Sequence, residues 1–166
     1  MNLQEKIRSF LLPSMSKGFV LRLVCVGLAA WIFFGYICIP LRIQGKSMEP
    51  TYHDGGFNFC QSLSYLFAEP QRFDVVGVKL SGNRVMLLKR IVALGGETVE
   101  FHNGKLWVNG TLLNEPYLQY PCDWSLPSRR VKPNRVYVVG DNRSTAHQGH
   151  QFGQAPIQRI AGKILW

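Results

Sequence analysis

The chain has 166 residues, room for one domain with an appendage, so length excludes solenoids and large α/β enzymes. Apolar residues make up 46%, which argues against wholesale disorder, and four Cys are too few for a disulfide scaffold. The net charge is +9, and its placement along the chain decides what it means.

Leu23 to Leu41 reads LVCVGLAAWIFFGYICIPL, 19 residues without a charge between Arg22 and Arg42. A bilayer core takes about 20 apolar residues as a helix. A buried soluble helix rarely stays apolar on every face for so long. A cleaved signal peptide would have an apolar stretch of about 7–15 residues and a small-residue cleavage site. Ile39-Pro40-Leu41-Arg42 offers no such site. The pattern therefore predicts a transmembrane helix over 23–41. Residues 1–22 hold Lys6, Arg8, Lys17 and Arg22 against Glu5, a net +3 that favours the cytoplasmic side. Residues 42–166 then form an outer domain carrying +6. Leu3, Ile7, Phe10 and Leu11 recur at helical spacing, so residues 1–22 read as a short interfacial helix or as a basic tail.

The outer domain reads as strands and turns. Asp54-Gly55-Gly56 turns into Phe57-Asn58-Phe59. Phe73–Leu80 is a strand, Ser81-Gly82-Asn83 a hairpin turn, and Val85–Leu94 the next apolar run. Thr98–Phe101 and Lys105–Val108 alternate about His102-Asn103-Gly104, and Asn109-Gly110 turns again; such Asn-Gly pairs are strong hairpin signals. Pro116–Pro133 has little periodicity and reads as a surface excursion. Arg135–Val139 and the closing Ile160–Trp166 are further strand candidates. The expected fold is mainly β, an antiparallel domain behind one membrane helix.

Two short segments suggest chemistry. Ser47 lies in Gly45-Lys46-Ser47-Met48-Glu49-Pro50-Thr51, just after the span, where turn-forming neighbours could present its hydroxyl. Lys89 closes the apolar run Val85-Met86-Leu87-Leu88. By themselves both are ordinary, since a serine is usually solvating and such a lysine usually snorkels to water. A desolvated lysine instead loses its proton easily and becomes a general base.

Taken together, Ser47-Met48-Glu49-Pro50-Thr51, Phe73-Asp74-Val75-Val76, Lys89-Arg90-Ile91-Val92 and Gly140-Asp141-Asn142-Arg143 follow one span in a set order. Gly104–Gly110 with Glu115-Pro116-Tyr117, and later Phe152-Gly153 and Pro156, extend the pattern. It resembles bacterial type I signal peptidases, membrane-bound Ser–Lys peptidases of family S26, over residues 40–166 and the span. The resemblance implies a serine endopeptidase that removes signal peptides from exported preproteins after small residues. Ser47 matches the nucleophile and Lys89 the neutral general base. Met48 matches a residue lining the site, and Asp141 and Arg143 match residues that brace it. Gly45 stands where some relatives carry an oxyanion-binding hydroxyl, which leaves the backbone N–H of Ser47 for that task. The implied partners are preprotein signal peptides and membrane lipid, with no cofactor. The implied location is the bacterial inner membrane, with the N-terminus cytoplasmic and the peptidase domain outside.

The stretch after the last motif departs from the family. Ala146, Gln148 and His150 stand where relatives carry a hydroxyl residue, an acid and an arginine. Ser144 or Thr145 is the expected substitute hydroxyl for orienting Lys89. Three readings stay open: a general signal peptidase, a specialised peptidase serving pilin, conjugation or secretion machinery, and a degenerate membrane scaffold.

Other classes find less support. His53, His102, His147 and His150 fit no metal-ligand pattern. Arg129, Arg130, Lys132 and Arg135 come with no nucleic-acid motif and read as a solvated or lipid-facing patch. Cys25 and Cys38 read as apolar packing in the span, and whether Cys60 and Cys122 pair is open.

Overall fold

The structure is a computed structural model and describes residues 16–79, 86–120, 122–144 and 153–165. The expectations for residues 1–15, the Ser81-Gly82-Asn83 turn, Thr145, Ala146, Gln148 and His150 fall outside these residues. The chain divides into two compact units, Met1–Tyr36 and Ile37–Trp166.

In the first unit, helix α1 spans Lys17–Ile32 and continues as a π-helical turn over Phe33–Ile37. Ser16 caps it, its hydroxyl oxygen accepting from the Phe19 N–H at 3.2 Å. An 18-residue stretch within Lys17–Ile37 has a mean hydropathy of 2.1, and none of the helix's residues is buried. At about 1.5 Å per residue the helix is about 32 Å long, matching a hydrocarbon core of about 30 Å. The expected span ran to Leu41, but helical structure stops at Ile37 and Cys38–Arg42 is a strand. Pro40 supplies a reason: it lacks an N–H, clashes with a preceding helical turn, and is tolerated on a sheet edge.

The second unit is predominantly antiparallel β. Its strands are β1 (Cys38–Arg42), β2 (Phe57–Gln61), β3 (Val75–Lys79), β4 (Met86–Ala93), β5 (Thr98–His102) and β6 (Lys105–Val108). Then follow β7 (Thr111–Leu112), β8 (Leu126–Arg130), β9 (Arg135–Val139), β10 (Gly153–Pro156) and β11 (Ile160–Ile164). Seven strands form one sheet in the order β1-β2-β11-β3-β4-β9-β10, and four form another in the order β7-β6-β5-β8. The hairpins at Asn103-Gly104 and Asn109-Gly110 form as expected, each with positive φ at both turn residues.

The large sheet is buried on both faces because β3 and β4 are apolar at consecutive positions. Val75 packs with Ile43, Met48, Tyr52, Cys60 and Ile164, whereas Val76 packs with Val78, Ile91, Val136, Val138 and Ala155. A third cluster joins β4, β9 and the small sheet through Val92, Val99, Phe101, Leu106, Trp124 and Tyr137. The surface excursion expected over Pro116–Pro133 is only partly that. It contains β8, paired with β5, and buries Trp124 and Val131. All four cysteines are free thiols, so Cys60 and Cys122 do not pair.

Candidate active site

Strand alternation sends the adjacent residues Lys89 and Arg90 to opposite faces of β4. Lys89 pairs in register with Val76, and Arg90 with Val75 on one side and Val139 on the other. Lys89 is 2% exposed. It borders a cavity of about 410 Å³ whose walls include Val78, Lys79, Leu87, Val138, Ala155 and Arg159.

The loop between β1 and β2 carries Ser47. It is closed on itself by Ile43 N–H donating to Gly56 O (2.8 Å), Gly55 N–H to Ile43 O (2.9 Å) and Tyr52 N–H to Met48 O (3.0 Å). Met48 is buried under the loop. Gly45 has φ +90° and donates its N–H to Asp54 Oδ1 at 2.8 Å. An added Cβ there would meet nothing within 4 Å, so backbone conformation rather than space calls for glycine.

The loop brings Ser47 to Lys89, 42 positions away in sequence: Lys89 Nζ donates to Ser47 Oγ at 2.7 Å. Burial pushes the Lys89 ammonium down from 10.5 to about 8, while the Asp141 carboxylate acts in the opposite sense. The pair is thus a half-buried hydroxyl against an amine that gives up its proton near pH 8. Such a pair can move a proton from oxygen to nitrogen.

The turn after β9 holds this loop in place. Asn142 donates its backbone N–H to Ser47 O and its side-chain Nδ2 to Lys46 O, each at 3.0 Å. Asp141, 0% exposed, accepts from Arg90 Nε (2.8 Å) and Nη2 (2.6 Å) and from the Thr51 hydroxyl (2.6 Å). Burial alone would lower the Arg90 pKa, but the Asp141 carboxylate outweighs it and the guanidinium is raised. Arg143, 1% exposed, donates Nε to Gly140 O at 2.8 Å and Nη2 to Glu115 Oε1 at 2.7 Å.

Of the residues singled out from sequence, Gly45, Ser47, Met48, Lys89, Asp141 and Arg143 gather in or beside this arrangement. Ser144 does not take up the orienting role expected of it, since its hydroxyl donates to Asn142 Oδ1 at 2.7 Å. Sequence reasoning passed over Thr51, Arg90, Asn142, Glu115 and Tyr117 as site residues. All five lay inside the quoted motifs without a role being assigned, and two buried arginines require buried acids, which would have pointed to Glu115.

Residues 16–166 match the signal peptidase family, peptidase S26, and the chain belongs to it. It is 33% identical to a probable signal peptidase I-1 of Synechocystis over 160 residues, covering 92% of this chain and 81% of that protein. It is 31% identical to signal peptidase I of Bacillus caldolyticus over 160 residues, 88% of this chain and 85% of that one. A thylakoidal processing peptidase of Arabidopsis thaliana is 32% identical over 147 residues, but this chain spans only 43% of its length. A crystal structure of a signal peptidase I from Enterococcus faecalis shares 30% identity with a TM-score of 0.48, covering 58% of this chain and 97% of that one. Family membership and the N-terminal apolar helix together support a protease with a single-pass membrane topology.

Proposed function

We propose that the chain is a membrane-anchored serine endopeptidase that removes signal peptides from exported preproteins after small residues, with Ser47 as nucleophile and Lys89 as general base. The observation that carries this reading is the 2.7 Å contact between Ser47 Oγ and a lysine that is 2% exposed. In the reactive state Lys89 is neutral and accepts the hydroxyl proton as Ser47 Oγ bonds to the scissile carbonyl carbon. The Ser47 backbone N–H stabilises the oxyanion. Protonated Lys89 then passes its proton to the leaving amine, giving an acyl-enzyme. In the second half, Lys89 takes a proton from the water that attacks the ester, and the returned proton frees Ser47. Met48, Asp141 and Arg143 shape and brace the site without reacting.

The substrate arrives extended along a strand edge, with small residues at the first and third positions before the cut. The basic segment before the span stays on the cytoplasmic side, so residues 42–166 face outward. Two clienteles fit this chemistry. A general precursor pool suits the family as a whole, whereas Ala146, Gln148 and His150 favour a narrower one tied to pilin, conjugation or secretion machinery.

The test is cleavage of a precursor panel by the full-length protein in lipid, with Ser47→Ala and Lys89→Ala alongside. Cleavage after a small residue, lost in both variants, is the expected result. Cleavage unchanged in either variant removes the dyad. The precursors that are cut decide between the clienteles.

A further inference from the structure

The carboxylate that acts on Lys89 is Asp141, and it acts in the wrong sense for a base, because a nearby negative charge favours the ammonium. Among the described residues, the other charged or polar groups set around Lys89 are Ser47 from the β1–β2 loop, Lys79 from β3, Gln154 from β10 and Arg159 from the 3-10 turn Ile157–Arg159. A site that needs a neutral amine must therefore direct Asp141 elsewhere. Arg90 does so with a two-pronged contact through Nε and Nη2.

Arg90 is itself held by groups that the sequence motifs do not explain. The Tyr117 ring lies under its guanidinium, 4.0 Å from ring centroid to Cζ. Its Nη1 donates to Phe73 O at 2.9 Å. Phe73 has φ +72°, an uncommon and strained conformation for a bulky residue, and packs edge-on against Tyr117 at 5.9 Å. The Tyr117 hydroxyl donates to Glu115 Oε1, and Glu115 is the acid paired with buried Arg143. One short segment after β7 thus touches both motif arginines, and Arg143 in turn stacks over Phe101 and Trp124 of the core.

We propose that Glu115 and Tyr117 are positioning residues for the dyad: Tyr117, fixed by Glu115, clamps the Arg90 guanidinium onto Asp141 and so keeps that carboxylate from pairing with Lys89. Cation–aromatic stacking suits the task, because it orients a planar guanidinium without adding a competing charge. The inference rests on the Ser47–Lys89 reading above.

The experiment is the pH dependence of kcat/KM for precursor cleavage by the full-length protein in lipid, measured for the parent, Tyr117→Leu, Tyr117→Phe and Arg90→Lys. Tyr117→Leu removes the ring face, and its acidic limb is expected to move up by about half to one pH unit. At pH 7 that is a fall of about three- to tenfold, with the curves converging above about pH 10. Tyr117→Phe keeps the ring but loses the hydroxyl bond to Glu115, so its limb is expected to move the same way by less than that of Tyr117→Leu. Arg90→Lys keeps the charge but loses the fork and the stack, so its limb moves the same way even if Tyr117→Leu does not fold. A merely structural role lowers activity equally at every pH; unmoved limbs in Tyr117→Leu and Arg90→Lys overturn the proposal. Ser47→Ala and Lys89→Ala are run in parallel. If these retain cleavage, the dyad reading itself has failed; if they lose it while the limbs stay put, only the positioning role has.

Discussion

Replacing Asp141 by Asn tests how the site is held together. The carboxylate is 0% exposed and receives two bonds from Arg90 and one from Thr51. Asn keeps the shape but removes the charge, leaving the Arg90 guanidinium, 10% exposed at its side chain, without compensation. Removing one partner of a buried ion pair costs about 3–5 kcal/mol. The unit Ile37–Trp166 has 130 residues, and at about 2.1 cal/mol/K per residue this cost lowers its Tm by about 10–18 °C. Thr51→Val removes only the hydroxyl bond from an exposed residue, worth about 1–1.5 kcal/mol, or about 5 °C. Circular dichroism of the strand signal, followed through thermal unfolding of the full-length protein in detergent, reads both. A shift for Asp141→Asn no larger than that for Thr51→Val would refute the view that this ion pair carries the site.

Lys89→Met should abolish cleavage yet stabilise the fold at pH 7 by up to about 3 kcal/mol, because Met has no charge to desolvate. The sign follows from linkage. Burial lowers Lys89 to about 8 in the fold against 10.5 unfolded, so between those values the unfolded chain binds more protons and parental stability rises with pH. The advantage of Lys89→Met should therefore shrink from pH 8 upward and vanish above about 10.5; denaturant melts at several pH values check this. Gly45→Ser should cost about 1–2 kcal/mol, since φ +90° strains any L side chain, without raising kcat. Thermal melts and initial rates decide that case, and a stable, faster enzyme would count against it. Glu115→Ala should destabilise by about 3–5 kcal/mol by stranding Arg143, with Glu115→Gln falling short of that.

The parts of the fold that local chemistry dictates were legible in the sequence. Asn103-Gly104 and Asn109-Gly110 are turns because those residues tolerate positive φ, and the strands beside them alternate because one face is buried. Strands without such patterning were passed over. In β8 only Leu126 is buried, so Pro127, Ser128, Arg129 and Arg130 read as loop. Strand β1 merges with the apolar span in sequence, and β10 contains Gly153 and Pro156. The same logic divides the site. Nothing local joins Ser47 to Lys89, and family resemblance supplied that pair. Glu115 and Tyr117 were matched to the family as the segment that follows a hairpin, but their contacts with Arg143 and Arg90 arise only from tertiary packing. Gly45 is the reverse case: its backbone conformation explains a residue choice that the sequence presented only as a missing hydroxyl.

The claim that Lys89 works as a neutral base is tested most directly by the pH profile of kcat/KM for a cleaved precursor. With Lys89 lowered to about 8, the rate should rise about tenfold per pH unit below that value and level off above it. A half-maximum near pH 6–7, as a histidine base would give, or a profile flat from pH 6 to 9, would contradict the account.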